Sequence, residues 1–399
     1  MKILVINAGS SSLKYQLIDT NGEICLAKGL CERIGLEMGN VKQTTHDGRA
    51  AEFEVAMPNF AAAFNQLCNL LISEDYGVIK SMNEINATGH RVVHGGTKYS
   101  KSTLITADFL REIESLNPLA PLHNPANIEG IKACIEILGE NVPQVAVFDT
   151  SFHQTMPQKA YMYAIPYELY QKYSIRRYGF HGTSHKFVAQ KCAEVMGKNI
   201  EDLKIITCHL GNGSSIAAIK NGECVDTSMG FTPLDGIMMG TRSGAIDPSV
   251  VTFIEEHEQI SSNEVNEILN KKSGFLGISG ISSDNRDLVA AAEQGNARAA
   301  LTIEMFEYHI TKYIGAYSAA MGGLDAIVFT GGIGENVIER RANVCKNLEY
   351  LGVDFDFEKN ASTRDLAEIT MQNSKTKVFV IPTNEELSIA RSTLAVIGE

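Results

Sequence analysis

Two arginines set among glycines are the side chains of this sequence best suited to gripping an anion. Arg91 stands in Thr88-Gly89-His90-Arg91-Val92-Val93-His94-Gly95-Gly96, and Arg242 in Met238-Met239-Gly240-Thr241-Arg242-Ser243-Gly244. A guanidinium with little bulk around it can face a ligand, and its planar fork suits carboxylate or phosphate oxygens. Either arginine taken singly could equally be half of a structural ion pair. Two small-residue tips, Asn7-Ala8-Gly9-Ser10-Ser11-Ser12 and Gly211-Asn212-Gly213-Ser214-Ser215, add a second signal. Glycine admits left-handed backbone and close approach, so successive amides can converge on a phosphate while serine hydroxyls add donors. One such tip alone would also make an ordinary turn. A third glycine-rich stretch, Thr330-Gly331-Gly332-Ile333-Gly334-Glu335-Asn336, follows an apolar run and opens a helical pattern, a place where bare amides suit a nucleotide. Glycine in such a loop can also serve packing alone. His123 and His181 sit at bends before helical patterns, where histidine more often caps or lies at the surface; His185 reads as the structural member of its pair. Asp149 and Glu385 follow strand-like runs, and a magnesium ion on a nucleotide needs only one or two protein carboxylates. Glu385 also fits ordinary helix-start chemistry. The sequence contains no GxxxxGK[ST], no complete GxGxxG and no HExxH, so the simple P-loop reading is excluded.

These residues need strand ends and helix starts to hold them. Lys2 to Asn7 and Leu13 to Asp19 read as a hairpin around the first tip, ending at Thr20-Asn21-Gly22. Ile205 to Leu210 and Ile216 to Lys220 repeat that pattern around the second tip and end at Asn221-Gly222-Glu223, which indicates an internal duplication of one α/β unit. Further strands are expected over 84–93, 144–148, 326–330 and 377–381, and helices over 124–138, 184–196, 296–321 and 385–396. Strands alternating with helices imply mixed sheets flanked by helices. A length of 399 residues favours two domains, expected at 1–150 and 151–385, with a final helix (386–399) packing back on the first.

The composition limits the partners. A net charge of -12 opposes nucleic-acid and acidic-membrane binding, because phosphate backbones reward clustered Lys and Arg. The eight cysteines show no CxxC pair and no zinc-like spacing, so they read as reduced, mostly buried thiols. The apolar run from Met1 meets Asn7 too early for a signal peptide, and no run approaches the ~20 residues of a spanning helix, which together predict a cytoplasmic protein.

Taken in order, the Asn7–Lys14, Gly89–Gly96, Pro121–Pro125, Phe148–Thr150, Gly179–His185, His209–Ser214 and Pro382–Glu386 segments closely resemble the acetate kinase family, over essentially the whole chain. The resemblance implies two duplicated ribonuclease-H-like (actin-like ATPase) domains with an interdomain active-site cleft, a homodimer, and ATP + acetate ⇌ ADP + acetyl phosphate with Mg²⁺ (Mn²⁺ as the alternative ion). It assigns Arg91 and Arg242 to the acetate carboxylate and the phosphoryl group in flight. His181 becomes the phosphoryl-stabilising histidine, His123 its support, Asp149 the essential acid, and Asn7 and Glu385 the metal-side residues. Val93, Leu122, Phe180 and Pro233 form the small apolar pocket for the methyl group. Nucleotide contacts fall on Ser12, Lys14, His209, Gly211, Asn212, Gly213, Asp284, Asn285, Arg286, Gly331, Gly332, Ile333, Gly334 and Asn336. Ala245 stands where the family usually has Asp, and Asn285 where an apolar residue is more usual; Asp235 and Ser151 are milder departures from Glu and Ala.

Such a reaction needs no general base, since a carboxylic acid with a pKa of about 4.3 is already ionised at neutral pH. Bringing an anionic oxygen to an anionic phosphorus calls for positive charge and alignment, and predicts direct in-line transfer with Asp149 and Glu385 acting through Mg²⁺ and water. The rival readings are a propionate or butyrate kinase of the same family and a nucleotide-gated interaction ATPase with no small acceptor.

Overall fold

The computed structural model describes every residue except Leu122, Arg364 and Glu399. The chain divides into two compact units, Met1–Phe152 with Asn384–Glu399, and His153–Thr383.

The first unit is organised on β1 (Lys2–Ala8), whose Ile3, Leu4, Val5 and Ile6 are all at most 1% exposed. A strand covered on both faces carries a continuous apolar run instead of an alternating one. Burying each of these side chains is worth about 1.5–3 kcal/mol, so the position of this strand is strongly fixed. Leu4 and Ile6 enter a core with Phe64 and Leu67 of the helix Phe60–Ile72. Ile3 and Val5 enter another with Ile389 and Ala390 of the final helix, Glu385–Ile397. Around β1 run β2 (Ser12–Asp19), β3 (Ile24–Glu32), β4 (Gly39–Thr45), β5 (Ala50–Val55), β6 (Ala87–Val92), β7 (Thr103–Leu104) and β8 (Gln144–Phe148), in the spatial order β5-β4-β3-β2-β1-β6-β8-β7. β2 is antiparallel to β1, whereas β6 and β8 continue the sheet in parallel.

The second unit repeats this plan with β9 (Lys204–Leu210), β10 (Ser214–Lys220), β11 (Glu223–Thr227), β12 (Ala326–Thr330), β13 (Ala367–Glu368) and β14 (Lys377–Val380), in the order β11-β10-β9-β12-β14-β13. β9 and β10 are antiparallel, β9, β12 and β14 parallel, and β13 lies antiparallel on the edge as β7 does. The duplication legible in the two tips therefore extends through six strands, and β4 with β5 is an addition to the first sheet.

The strand expected from Glu84 starts later. Met82–Glu84 form a 3-10 turn capped by Ser81, because the Glu84 carboxylate folds back onto the Lys80 amide (2.6 Å) and pairs with Lys2; β6 begins only at Ala87. The helix expected over 184–196 begins two residues earlier, at Gly182, and the strand expected to reach Ile381 ends at Val380. Strands β3, β4, β5 and β11 and the helix Phe60–Ile72 were not anticipated. All eight cysteines are free thiols; seven are buried and Cys25 is half-buried.

Gly89 in β6 lets the final helix approach. A Cβ there would overlap Thr393 Oγ1 and stand 2.7 Å from Ile389 Cγ2. Gly89→Ala should lower unfolding stability by about 1–3 kcal/mol in urea titrations, the usual cost of overpacking. An unchanged midpoint would show that the helix can shift without cost.

Candidate active site

In the first unit the ends of β1, β6 and β8 place several of the expected residues together. Arg91, the penultimate residue of β6, makes a forked ion pair with Asp149, just beyond β8: Nε lies 3.0 and 3.2 Å from the two carboxylate oxygens and Nη2 2.7 Å from Oδ2. The Asp149 side chain is 2% exposed. Burial works against the Arg91 charge, but Asp149, helped by Glu385 and Glu386, outweighs it and raises the guanidinium pKa. Glu385 opens the final helix behind the N-cap Asn384; burial, reinforced by Asp149 and opposed by Arg91, pushes its carboxyl up. Among the described residues Glu385 is in no ion pair. Asn7 lies opposite Lys14 in the β1–β2 register. Ser12 closes the first tip through its carbonyl, which accepts from the Gly9 amide at 2.8 Å. Lys14 is exposed and lines a groove of about 260 Å³ with Lys28, Lys42 and Glu386. Val93 is buried, and His123 stands at the N-cap of the helix Asn124–Leu138. Leu122 lies outside the described residues.

Two asparagines that were not anticipated hold this edge in shape. Asn127 accepts from the Val93 amide (3.0 Å) and donates to the Ala8 carbonyl (2.6 Å), tying the loop after β6 to the end of β1. Asn124 closes a two-bond clasp on His94, at 3.1 and 3.0 Å. Both occupy the first turn of a helix, a position that sequence alone reads as capping.

In the second unit, His181 takes a left-handed backbone (φ 55°) at the N-cap of the helix Gly182–Met196. Its Nδ1 lies 2.9 Å from Ser215 Oγ, and its ring lies 4.3 Å from that of His209. Gly213, at the second tip, presents its open side to His181 and Arg242: a Cβ there would lie 3.5 Å from His181 Nε2 and 3.6 Å from Arg242 Nη1. Arg242 donates to the Pro233 carbonyl (3.2 Å) and, among the described residues, is in no ion pair; burial lowers its pKa. Asp235, by contrast, pairs with Arg177 at 3.3 Å. Ala245 is exposed, its amide bonded to the Gly236 carbonyl (2.8 Å). Phe180 is buried, its carbonyl 2.9 Å from His153 Nε2. His185 is fully buried between Thr207 and Ser215, and burial, with His153 and His209, holds its pKa well below the usual value.

A cavity of about 720 Å³ adjoins this tip, lined by Gly211, Asn212, Asp284, Asn285, Arg286, Gly332, Ile333 and Asn336, all expected, and by Ser283 and Val337, which were not. Gly331 has φ +77°, and a Cβ on it would stand 2.7 Å from the Leu210 carbonyl oxygen, so the glycine loop closes onto the end of β9. His209 is in β9 behind that end; Gly334 sits in the short helix Gly331–Asn336. Asp284 caps the helix Asn285–Glu293, and Arg286 beside it holds its carboxyl down at about 2. Gly240 makes room for Asn212, whose Oδ1 a Cβ there would overlap. Two supports were missed. Glu335 Oε1 accepts from the amides of Gly331 (2.8 Å) and Thr383 (3.1 Å), and the fully buried Arg341 donates to the carbonyls of Gly334 (2.9 Å) and Glu335 (2.8 Å). A Glu and an Arg in a helical pattern look like solvated surface, and only the packing shows them turned inward. The amides of Gly9 and Gly211, at the same place in the two tips, are bonded inside their turns, to Ser12 O and Ser214 Oγ.

Among the described residues the arrangement offers a guanidinium in no ion pair, an imidazole and a glycine tip beside a cavity of about 720 Å³, and separately a carboxylate-paired arginine near a carboxylate that is in no ion pair. Comparison with known proteins agrees with that chemistry. The profile of the acetokinase family matches residues 2–391. The chain is 57% identical to acetate kinase 2 of Clostridium perfringens over 399 residues, all of both chains. Among solved structures it superposes on Porphyromonas gingivalis acetate kinase with a TM-score of 0.95 (47% identity) and on a Francisella tularensis propionate kinase with 0.92 (44% identity), 99% of each chain being covered in both cases. The two sheets are accordingly duplicated ribonuclease-H-like domains of the actin-like ATPase class, and the chain belongs to the acetokinase family.

Proposed function

We propose that the chain catalyses reversible transfer of a phosphoryl group between ATP and acetate, giving ADP and acetyl phosphate. The observation that carries this reading is the meeting of Arg242, in no ion pair among the described residues, with His181 over Gly213, beside the cavity lined by Gly332 and Asn336. A cation without its own carboxylate suits an anion that arrives and leaves. In the proposed reaction an acetate oxygen attacks the γ-phosphorus while the bond to the β–γ bridging oxygen breaks, in line, and ADP departs. Acetate is already anionic, so the protein's task is alignment and charge neutralisation. Arg242 and His181 are assigned to the oxygens of the transferred group, with His123 in support, and Arg91 to the acetate carboxylate, its orientation held by Asp149. Val93, Leu122, Phe180 and Pro233 are assigned to the methyl group. Lys14, Ser12, His209 and the residues at the ends of β9 and β12 are assigned to the nucleotide, with Asp284, Asn285 and Arg286 around the adenosine.

A kinase of this family works with a divalent cation, for which we propose Mg²⁺. Asn7 and Glu385 offer hard oxygen donors, and a raised carboxyl in no ion pair among the described residues fits a bound cation. No group of three or more His, Cys, Asp or Glu residues able to hold a metal occurs among the described residues, consistent with an ion that keeps waters and phosphate oxygens as its main ligands. When bound, the ion neutralises charge on the β- and γ-phosphoryl oxygens. No described helix is long and apolar enough to cross a membrane. We further propose a cytoplasmic homodimer.

Trapping acyl phosphate with hydroxylamine should give a kcat/KM for acetate about tenfold above that for propionate, since one methylene in a tight apolar pocket is worth ~1–3 kcal/mol. The likeness to a propionate kinase makes propionate the acceptor to test against. A higher value for propionate or butyrate would move the assignment to that acid, and ATP hydrolysis indifferent to all three would sink it. With chiral γ-phosphoryl ATP, inversion at phosphorus is expected, and retention would rule out a single displacement. Arg242→Ala should reduce kcat by about 10²–10³ with little loss of stability. Arg91→Ala should also cost about 3 kcal/mol of stability, because it strands Asp149 as a buried, unpaired carboxylate. Equal stability losses in the two variants would contradict this division.

A further inference from the structure

The mechanism above uses His181 but not the polar chain behind it. Ser215 is fully buried in β10, and its hydroxyl lies between two imidazoles, one at the N-cap and one in the first turn of the same helix, 2.9 Å from His181 Nδ1 and 2.7 Å from His185 Nε2. On the far side, His185 Nδ1 lies 2.6 Å from Thr207 Oγ1 in β9, also fully buried. Four groups thus form one line, Thr207, His185, Ser215 and His181, held by two paired strands and one helix.

The direction of the protons along this line can be worked out by satisfying every donor. His185 is neutral, since burial holds it well below its usual pKa, so it has one N–H and one acceptor nitrogen. The Thr207 hydroxyl has no other hydrogen-bond partner among the described residues. If His185 carried its proton on Nδ1, the Thr207 hydrogen would be buried without an acceptor, an arrangement that folded proteins avoid. The satisfied pattern has Thr207 donating to His185 Nδ1, His185 Nε2–H donating to Ser215 Oγ, and the Ser215 hydroxyl donating onward to His181 Nδ1. Nδ1 of His181 then accepts, and the ring hydrogen resides on Nε2. That nitrogen is the one turned to Gly213, where Arg242 Nη1 also arrives.

We infer that Ser215 is a positioning residue for the proposed transfer: its hydroxyl holds the His181 ring with its proton on Nε2, aimed as a donor at the oxygens of the transferred group. This rests on the function proposed above for its consequence, but not for its geometry. The tip residue Gly213 and the strand residue Ser215 then have separate tasks, one leaving room for the group and the other orienting the donor.

The test combines nitrogen NMR of ligand-free protein carrying ¹⁵N-histidine, His181 being identified through His181→Gln, with steady-state kinetics. The parent protein should show a non-protonated Nδ1 and a protonated Nε2 at His181. Ser215→Ala should give a mixture of tautomers and a kcat lower by about ten- to a hundredfold, a loss of the size found when the outer hydrogen-bond partner of a metal-ligating histidine is removed. KM values should stay within about threefold, because ground-state binding is not the task of this hydroxyl. Ser215→Thr should restore both the spectrum and the rate. A parent His181 protonated on Nδ1, or a Ser215→Ala protein with unchanged spectrum and kcat, would overturn the inference. Should Ser215→Ala fail to fold, Thr207→Val removes the first donor of the chain and should move the His181 signals toward the same mixture; unmoved signals would again overturn it. Failure of the parent enzyme to form acyl phosphate would defeat the proposed function while leaving the tautomer result standing, so the two failures are distinguishable.

Discussion

The residues assigned to chemistry sit mostly at or just beyond the ends of two groups of strands, centred on β1 and β9, and both central strands are buried on both faces. Ile3 to Ile6 in one, and Ile205, Ile206, Cys208 and Leu210 in the other, are excluded from water by helices on either side. A strand packed this way cannot slip by one residue without moving its apolar set against the opposite cover. Its end is therefore a fixed point, and a turn leaving that end is placed to within the tolerance of the core. Gly9 and Gly211, each bonded inside its turn, show the same solution at both fixed points. Loops carrying function on a rigid scaffold are common; here the scaffold has been duplicated together with the loop.

The two units differ in how they treat positive charge. Arg91 is neutralised by the forked contact with Asp149, which fixes its direction at the expense of part of its charge. Among the described residues Arg242 is hydrogen-bonded only to a carbonyl and a thioether and lies in no ion pair, although burial disfavours its charged form. A buried cation without a counter-ion is costly unless something else supplies the negative charge. The contrast underlies the different parts proposed for the arginines, one oriented in advance and the other to be stabilised by an arriving anion.

Much of the site was legible because its residue types are unusual for their settings. Glycine runs at strand ends, arginines among glycines and a carboxylate at the end of an apolar strand all stand out from core and from surface alike. What could not be read were the supports, because each looks ordinary in sequence. Asn124 and Asn127 look like helix-start residues, Glu335 and Arg341 like helix surface, Thr207 like β-strand filler, and Ser215 like the last hydroxyl of the glycine tip. Several of their partners lie far off in the chain: Asn127 reaches Ala8 across 119 positions, and Glu335 reaches the Thr383 amide across 48. No local pattern encodes such a pairing. The strand expected from Glu84 failed for a related reason, since a salt bridge to Lys2 and a bond to the Lys80 amide turned its first residues into a 3-10 turn.

The sequence by itself determined the duplicated strand-tip-strand plan and the residue types gathered at the strand ends, because periodicity, glycine and charge act locally. Only the tertiary structure decided which arginine is paired and which lies in no ion pair among the described residues, that β7 and β13 extend the duplication to the sheet edges, and that a line of buried hydroxyls and imidazoles stands behind His181. These depend on residues brought together across the chain, and on which polar groups are left to satisfy one another once water has been excluded.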